Sequence, residues 1–279
     1  MNRRKLIRKT LTLALVLLLL FSFPASFAYE SNGIENHTPA QNIEQFLKSN
    51  DVPPQKIESL LEKHNTGVLW DCQEEGKLKM VPESFYIFDP SQGSETRYFR
   101  FEDGSFIKIQ AEQLESKEIF GDSKSFEFLQ SKGFSAKDSN EIIESAKLAT
   151  KKSSEIGTKG VDHGTGYVWY YDHKVSYTSV GQYAEMYVDF VINQYAADKI
   201  NSCKWPTVRG FGQLNGYPIT QVDRPVEDTQ MGRWALGSTT WVTNYSISTP
   251  WGGSTASGTY YLWLGVGNNS YRVGPSLPY

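Results

Sequence analysis

Apolar and polar residues alternate along residues 183–193. Successive residues of a β-strand point to opposite faces, so this segment predicts a strand with one apolar and one mostly polar face. The apolar positions are Ala184, Met186, Val188, Phe190 and Ile192, and the opposite positions are Tyr183, Glu185, Tyr187, Asp189, Val191 and Asn193. A similar period recurs at 241–247 and 260–266, with glycine-containing turns at 250–253 and 267–269. Short strands at this spacing predict an antiparallel β-sandwich in the C-terminal half.

The N-terminal half has a mixed pattern. Apolar residues at helical spacing predict two helical hairpins, one at residues 38–67 and the other at 126–149. Strand-like segments at 84–88 and 96–109 lie between these hairpins, and the second of them contains a turn signal at 102–105. This half therefore predicts a small helical and β-hairpin module.

The composition changes near residue 160. Residues 161–279 hold six of the seven Trp and 13 of the 16 Tyr of the chain. Residues 150–166 are polar, contain several Gly and Ser, and show no apolar period, which is typical of a linker. We therefore predict an α+β protein with an α+β module at 29–149, a linker at 150–166 and an antiparallel β-sandwich domain at 167–279.

The first 28 residues have the pattern of a secretory signal peptide. Five Lys or Arg near the N-terminus precede an apolar run at 11–23, and Ser26 and Ala28 place small residues before a cleavage site. A helix that spans a bilayer needs about 20 apolar residues, so a permanent membrane anchor is not expected. Tyr29 stands where a lipoprotein would have cysteine. We expect cleavage of residues 1–28 and release of an extracellular protein.

The charge of the released chain disfavours some classes of partner. The net charge of the whole chain is −3, and residues 1–28 hold five positive and no negative side chains, which leaves −8 for the remainder. Phosphate binding requires clustered Lys and Arg, so we expect no nucleic-acid partner. The same excess of negative charge disfavours anionic surfaces as primary partners.

The chain has two cysteines, Cys72 and Cys203. Outside the cytoplasm an even number of cysteines permits a disulfide, and we predict a bridge between these two. The alternative is a pair of separately buried thiols that act as small apolar side chains. Neither cysteine has a second Cys or His at the spacing of a metal site, so we expect no metal and no cofactor.

Four aromatic residues are candidates for ligand binding. Tyr183 and Tyr187 share the polar face of the strand at 183–193, and Tyr261 and Trp263 lie opposite the apolar face of a later strand. Flat aromatic rings at sheet spacing can stack on sugar rings or hold apolar partners. Packing of the same rings inside the protein is the alternative interpretation.

Catalytic candidates are fewer. Glu185 and Asp189 share a strand face as the acids of sandwich-fold glycosidases do, but about 13 Å between their Cα atoms exceeds the carboxyl separation of a catalytic pair. Either acid could instead partner an acid on a neighbouring strand. The segment at 118–125 resembles the nucleophile block of GDSL-type esterases, although Asp122 there can equally be a helix N-cap. His173 is the histidine expected on a structured part of the β domain, with a structural role as the simpler interpretation.

Two short motifs suggest a family resemblance. The motifs are Gly67-Val68-Leu69-Trp70-Asp71 and Phe101-Glu102-Asp103-Gly104-Ser105. They resemble segments in a broad set of uncharacterised secreted proteins of Gram-positive bacteria. The resemblance implies a signal peptide, a small helical module and a β-rich C-terminal domain, and it implies no activity. Trp70 is most simply a core aromatic, and Asp103-Gly104 a turn.

These observations together favour a secreted, non-enzymatic binding protein. An envelope or environmental glycan, or another cell-surface ligand, is the expected partner. A polysaccharide-active hydrolase or lyase that uses acids such as Glu185 and Asp189 is one alternative. A secreted toxin or antimicrobial with Ser-, Thr- and Tyr-rich strands is another.

Overall fold

A computed structural model describes residues 39–156, 167–194, 196–210, 213–249 and 252–275. The predicted signal peptide and residues 157–166 of the predicted linker lie outside the described residues. The helices are α1 (Pro39–Ser49), α2 (Pro54–Thr66), α3 (Glu75–Leu78), α4 (Ser123–Ser131) and α5 (Ala136–Ile156), with short 3-10 turns at Asp71–Gln73, Glu83–Phe85 and Pro90–Gln92. The strands are β1 (Ile87–Phe88), β2 (Glu95–Arg100), β3 (Phe106–Glu112), β4 (Glu115–Glu118), β5 (Tyr167–Ser179), β6 (Gln182–Asn193), β7 (Lys199–Gly210), β8 (Gln213–Leu214), β9 (Ile219–Arg224), β10 (Ala235–Thr249), β11 (Gly252–Gly267) and β12 (Ser270–Gly274).

The strands form two six-stranded sheets. Sheet A has the order β1-β12-β11-β10-β8, with β9 also paired to β10. Sheet B has the order β2-β3-β5-β6-β7, with β4 also paired to β5. Each described pairing between these strands is antiparallel. The predicted α+β fold with antiparallel, sandwich-like sheets is confirmed.

The two sheets pack through their apolar faces. The inner face of β6 is fully buried, as its alternating sequence predicts, and the inner face of β11 covers it with leucine and valine. Phe190 of β6 and Tyr271 of β12 lie with ring centres 5.6 Å apart, and the Thr239 hydroxyl donates to the Met186 sulfur at 3.3 Å. Each large apolar side chain buried here contributes about 1.5–3 kcal/mol.

Both sheets combine strands from the two predicted domains. β3 pairs with β5 from Ile107 opposite Ser179 to Glu112 opposite Lys174, and β1 pairs with β12. The main core likewise contains Ile43 and Trp70 from the N-terminal half beside residues of β6 and β11. The predicted linker at 150–166 therefore does not separate two cores, and its first seven residues belong to α5.

The helical hairpins form where the sequence predicts them. α2 begins with Pro54 and is followed by the C-cap Gly67, whose φ of 72° suits a residue without a side chain. The N-cap of α4 is Asp122, whose carboxylate accepts a hydrogen bond from the Ser125 N–H at 2.8 Å. This cap confirms the helix interpretation of the segment at 118–125. Among the described residues, no helix is both long and apolar enough to cross a membrane.

The two cysteines are free thiols, so the predicted disulfide is absent from the structure. Cys72 lies in the core near the N-terminal helices, and its N–H donates to the Ser105 hydroxyl at 3.1 Å. Cys203 lies on β7 against Gly237 of β10. Each thiol fills a different site in the packing, and burial raises their pKa values to about 11 and about 12 respectively.

Candidate functional site

The outer face of sheet B carries the densest group of charged and aromatic side chains that the sequence singled out. Four strands, β3, β5, β6 and β7, place their outward residues in rows across this face. The rows are Lys108–Thr178–Tyr183–Arg209, Gln110–Ser176–Glu185–Thr207, Glu112–Lys174–Tyr187–Lys204 and, at one end, Asp172 with Asp189 and Ser202. We call this surface the outer face. It follows from the alternation of β6, because the apolar residues of this strand point into the core and the intervening residues point outward.

Two β-bulges shape the outer face. The register of β5 against β6 shifts between Tyr170 and His173, and Asp172 in this bulge has a φ of 52°. The register of β7 against β6 shifts beside Tyr187, and Trp205 there also has a φ of 52°. Left-handed backbone is rare for residues other than glycine, and most unusual for a bulky side chain. Bulges re-aim side chains and are frequent next to functional sites.

Asp189 connects the two bulges. Its carboxylate accepts hydrogen bonds from the Asp172 N–H at 2.7 Å, the Ser202 hydroxyl at 2.6 Å and the Lys204 ammonium at 2.9 Å. Lys204 also lies 2.6 Å from the Asp172 carboxylate. Burial alone would lower the pKa of Lys204, but the hydrogen bonds and charges of the two aspartates raise it. At this end of the outer face, Lys204 is therefore paired with both Asp172 and Asp189.

Glu185 belongs to a second network in the middle of the face. It accepts a hydrogen bond from the Tyr183 hydroxyl and lies 3.3 Å from the Lys174 ammonium. Lys174 is also 3.5 Å from Glu112. Burial would raise the pKa of Glu185, but the hydrogen bonds from Tyr183 and Thr207 and the charge of Lys174 lower it. Glu185 is thus held as a carboxylate.

Exposed aromatic rings border both networks. Trp205 is 61% exposed, and its ring meets that of Tyr187 edge-on with 5.4 Å between the centroids. The Lys204 ammonium lies 4.7 Å from the centre of the Trp205 ring. At the opposite edge of sheet B, Tyr98 of β2 is 45% exposed, and the Lys108 ammonium lies 5.2 Å from its ring centre. Flat rings flanked by cations and hydroxyls can contact both faces of a polar ligand.

The structure does not bring the four predicted binding aromatics onto one surface. Tyr183 and Tyr187 lie on the outer face of sheet B, but Tyr261 and Trp263 belong to β11 of sheet A. Trp263 is only 5% exposed, so the prediction that it is a surface residue is wrong. Its ring lies against Gly274 of β12, where a Cβ atom would come within 2.8 Å of Cζ2. Tyr261 is partly buried.

Residues of neighbouring strands that contribute to the outer face do not follow from the alternation of β6. Trp205 and Lys204 come from β7, and Tyr98 comes from β2. The dipeptide Trp205-Pro206 was a usable signal, because proline inside a strand marks an edge or a bulge. The partner strand and its register could not be derived from this local pattern.

His173 lies in the core rather than on a surface. It is 1% exposed and meets the rings of Phe190 and Tyr271 edge-on, with centroids 5.2 Å and 4.9 Å away. Neither ring nitrogen has a hydrogen-bond partner among the described residues. Burial lowers the pKa of His173 to about 4, so the ring is neutral in the folded protein at neutral pH.

A buried pair of acids lies at one end of the sandwich. The Asp198 carboxylate accepts from the N–H groups of Asn193 and Asn269 at 2.7 Å and 3.1 Å, and Glu227 accepts from the Asn268 N–H at 3.0 Å. Both carboxylates therefore accept hydrogen bonds from the backbone. Through these bonds the pair connects the end of β6, the segment that contains Glu227 and the turn at 268–269. Within the described ranges, no three His, Cys, Asp or Glu side chains are grouped as a metal site would require.

Comparison with protein-family models, with curated proteins and with solved structures finds no match to this chain.

Proposed function

We propose that the protein is an extracellular, non-enzymatic binding protein and that the outer face of sheet B recognises a glycan. The observation that supports this most is Trp205, which combines high exposure with left-handed backbone at a bulge. A bulky residue in this conformation costs free energy, and such outliers cluster where a side chain must be presented to a ligand. The exposed ring offers an apolar surface for the C–H groups of a sugar.

The groups around Trp205 suit a ligand rich in hydroxyls. Tyr187 meets the ring edge-on, and Lys204 provides a cation beside it. The carboxylates of Asp172 and Asp189 flank that cation. Sugar sites in proteins need this combination of an apolar platform and fixed polar groups, because each hydroxyl that loses water must find a hydrogen-bond partner.

The surroundings of Glu185 and Asp189 support a binding role over hydrolysis. A general acid in a glycosidase needs a raised pKa, whereas the partners of Glu185 lower its pKa. Asp189 already accepts three hydrogen bonds, one of them from the backbone of β5. Both carboxylates therefore have structural partners that catalysis would have to break.

Pull-down on insoluble cell wall, chitin and cellulose tests this proposal. We expect the wild-type protein to bind at least one of them, and Trp205→Ala to weaken that binding about tenfold, which corresponds to about 1.4 kcal/mol. Tyr217→Ala is the matched control, because Tyr217 is 89% exposed but lies outside sheet B. Binding to none of the polymers, or equal binding by Trp205→Ala, would refute the proposal. Release of reducing ends that Glu185→Gln abolishes would establish the hydrolase instead.

A further inference from the structure

One row of the outer face contains two cations and no carboxylate. The row crosses β3, β5, β6 and β7 and consists of Lys108, Thr178, Tyr183 and Arg209. We call it the cationic row. Tyr98 of β2 extends it at one edge, because Tyr98 pairs with Lys108. Residues that are opposite each other on neighbouring strands share a face of the sheet, so these side chains lie together on the side away from the core.

The cations of this row lack the ion pairs that the two other lysines of the outer face have. Lys174 and Lys204 each lie within 3.5 Å of two carboxylates. Within the described part of the chain, neither Lys108 nor Arg209 forms an ion pair with a carboxylate. The charges of Lys174 and Lys204 are therefore balanced inside the protein, whereas the two positive charges of the cationic row are available to an anion.

Tyrosine rings hold both cations of the row. The Lys108 ammonium lies 5.2 Å from the centre of the Tyr98 ring, and the Arg209 guanidinium lies 6.0 Å from the centre of the Tyr183 ring. The face of an aromatic ring attracts a cation but carries no net charge that would neutralise it. The rings therefore position Lys108 and Arg209 and leave their charge for a ligand.

The negative charge of the chain does not cancel the cationic row. Asp189 follows Tyr183 by six residues on β6, which corresponds to about 20 Å along a strand. Exposed charges separated by more than about 8 Å are largely screened at physiological ionic strength. Glu185 is nearer, but it already has Lys174 and the Tyr183 hydroxyl as partners. The cationic row is therefore a local positive patch on a chain whose net charge is −3.

The distances across the outer face suit a polymer. Arg209 follows Trp205 by four residues on β7, which places their Cα atoms at most about 13 Å apart. Lys108 lies three strands away from Arg209, a separation of about 14 Å, and its side chain leans further away, toward Tyr98. One small anion does not reach both cations, but a chain of several sugars spans all three positions.

We propose that the glycan recognised by the outer face is an anionic polysaccharide, whose carboxylate or sulfate groups pair with Arg209 and Lys108 while a neighbouring sugar ring stacks on Trp205. This inference rests on the proposed glycan binding and adds the charge of the ligand to it. The guanidinium of Arg209 matches two oxygens of one acidic group, and the ammonium of Lys108 binds an anion as a point charge.

Binding of matched charged and neutral polysaccharides tests the proposal. The charged probes are alginate, which carries carboxylates, and dextran sulfate, and their neutral counterparts are carboxyl-reduced alginate and dextran. In calorimetric titrations we expect the protein to bind at least one charged probe about tenfold or more tightly than its neutral counterpart. That affinity should fall about tenfold or more between ~0.05 M and ~0.5 M NaCl, because salt screens the attraction. The probe that binds more tightly identifies the acidic group as carboxylate or sulfate.

Paired charge variants locate the bound anion. Lys108→Gln together with Arg209→Gln removes both cations of the row, and we expect it to lower the affinity for the charged probe to that for the neutral counterpart. Lys124→Gln together with Arg233→Gln is the matched control. It removes the same two charges from exposed positions on α4 and between β9 and β10, and it should bind as the wild type does. Urea unfolding of both double variants verifies that a loss of binding does not come from misfolding.

Four results would overturn the proposal. The first is equal binding of a charged probe and its neutral counterpart, or binding of neutral polymers such as chitin alone. If Trp205→Ala still loses that binding, the glycan-binding role stands and only the charged ligand is excluded. The second is wild-type binding by the variant without Lys108 and Arg209, which would place the anion elsewhere. The third is equal affinity for single-stranded DNA of the same charge, which means non-specific attraction of polyanions. The fourth is binding to no polysaccharide, which would refute the proposed glycan binding as well.

Discussion

The Asp189 carboxylate accepts a hydrogen bond from the backbone N–H of Asp172 at 2.7 Å. This bond spans two neighbouring strands and satisfies a donor that the bulge in β5 removes from the regular ladder. The same carboxylate binds Lys204, the residue before the exposed Trp205. One acidic side chain therefore stabilises both irregular segments of the outer face.

Replacement of Asp189 should destabilise the protein. In Asp189→Ala the Asp172 N–H and the Lys204 ammonium lose an acceptor, and we expect a loss of about 1–3 kcal/mol in the free energy of unfolding, measured with urea. Glu75→Gln removes a carboxylate from the exposed pair with Lys79 and should leave the urea midpoint unchanged. Equal midpoints for Asp189→Ala and the wild type would show that the carboxylate does not hold the bulges.

His173 should make the protein less stable in acid. Its pKa in the folded state is about 4, below the value of about 6.5 in an unfolded chain, so the unfolded state binds the proton more readily. The stability contributed by the neutral ring is present above pH 6.5 and is lost as the pH falls toward 4, by up to ~3 kcal/mol. His173→Phe should reduce this dependence, measured as urea unfolding at pH 7 and pH 4.5. An unchanged difference between the two pH values would argue against a buried neutral ring.

Titration of Asp198 changes the stability of the protein in the opposite direction to that of His173, over an overlapping pH range. The two contributions must therefore be separated by substitution. Burial raises the pKa of Asp198 to about 6, and the charge of Glu227 adds to this. The stability that comes from its protonation is present below pH 3.8 and is lost as the pH rises through about 6. Asp198→Asn should therefore make stability rise more steeply from pH 4 to pH 6, because the opposing contribution of His173 is no longer offset. A profile that keeps its slope in this variant would exclude Asp198 as the titrating group.

The contact between Cys203 and Gly237 joins the two sheets and can be tested by paired substitution. A Cβ atom at Gly237 would overlap the Cys203 sulfur, so Gly237→Ala should cost about 1–3 kcal/mol of stability. Cys203→Ala removes that sulfur and should recover part of the loss in the double variant. Thermal or urea unfolding of the four proteins measures the coupling. Simple addition of the two single effects would mean that the residues do not touch.

A thiol titration tests whether Cys72 and Cys203 are free. Because Cys72 and Cys203 are free and buried or partly buried, a thiol reagent should react slowly with the native protein and titrate two thiols per chain in denaturant. The raised pKa values of both thiols also slow the reaction, since the thiolate is the reactive form. Detection of no thiol in denaturant would show instead that Cys72 and Cys203 form the disulfide predicted from the even number of cysteines.

The local pattern of β6 was sufficient to predict a strand, its buried face and the shared outer face of Tyr183, Glu185, Tyr187 and Asp189, which are each partly buried. It could not predict that β3 pairs with β5 across the predicted linker, because alternation does not identify a partner strand. The burial of Trp263 also escaped prediction. That burial depends on Gly274, which becomes its neighbour only when β11 and β12 pair.

Hydroxyl-radical footprinting tests the binding role of the outer face most directly. Side-chain oxidation is measured by mass spectrometry with and without the polysaccharide that the protein binds. We predict that the ligand protects Trp205 and Tyr187 and leaves the oxidation of the exposed Tyr217 unchanged. Protection of Tyr217 with no protection of Trp205 would contradict the assignment and place the binding surface elsewhere.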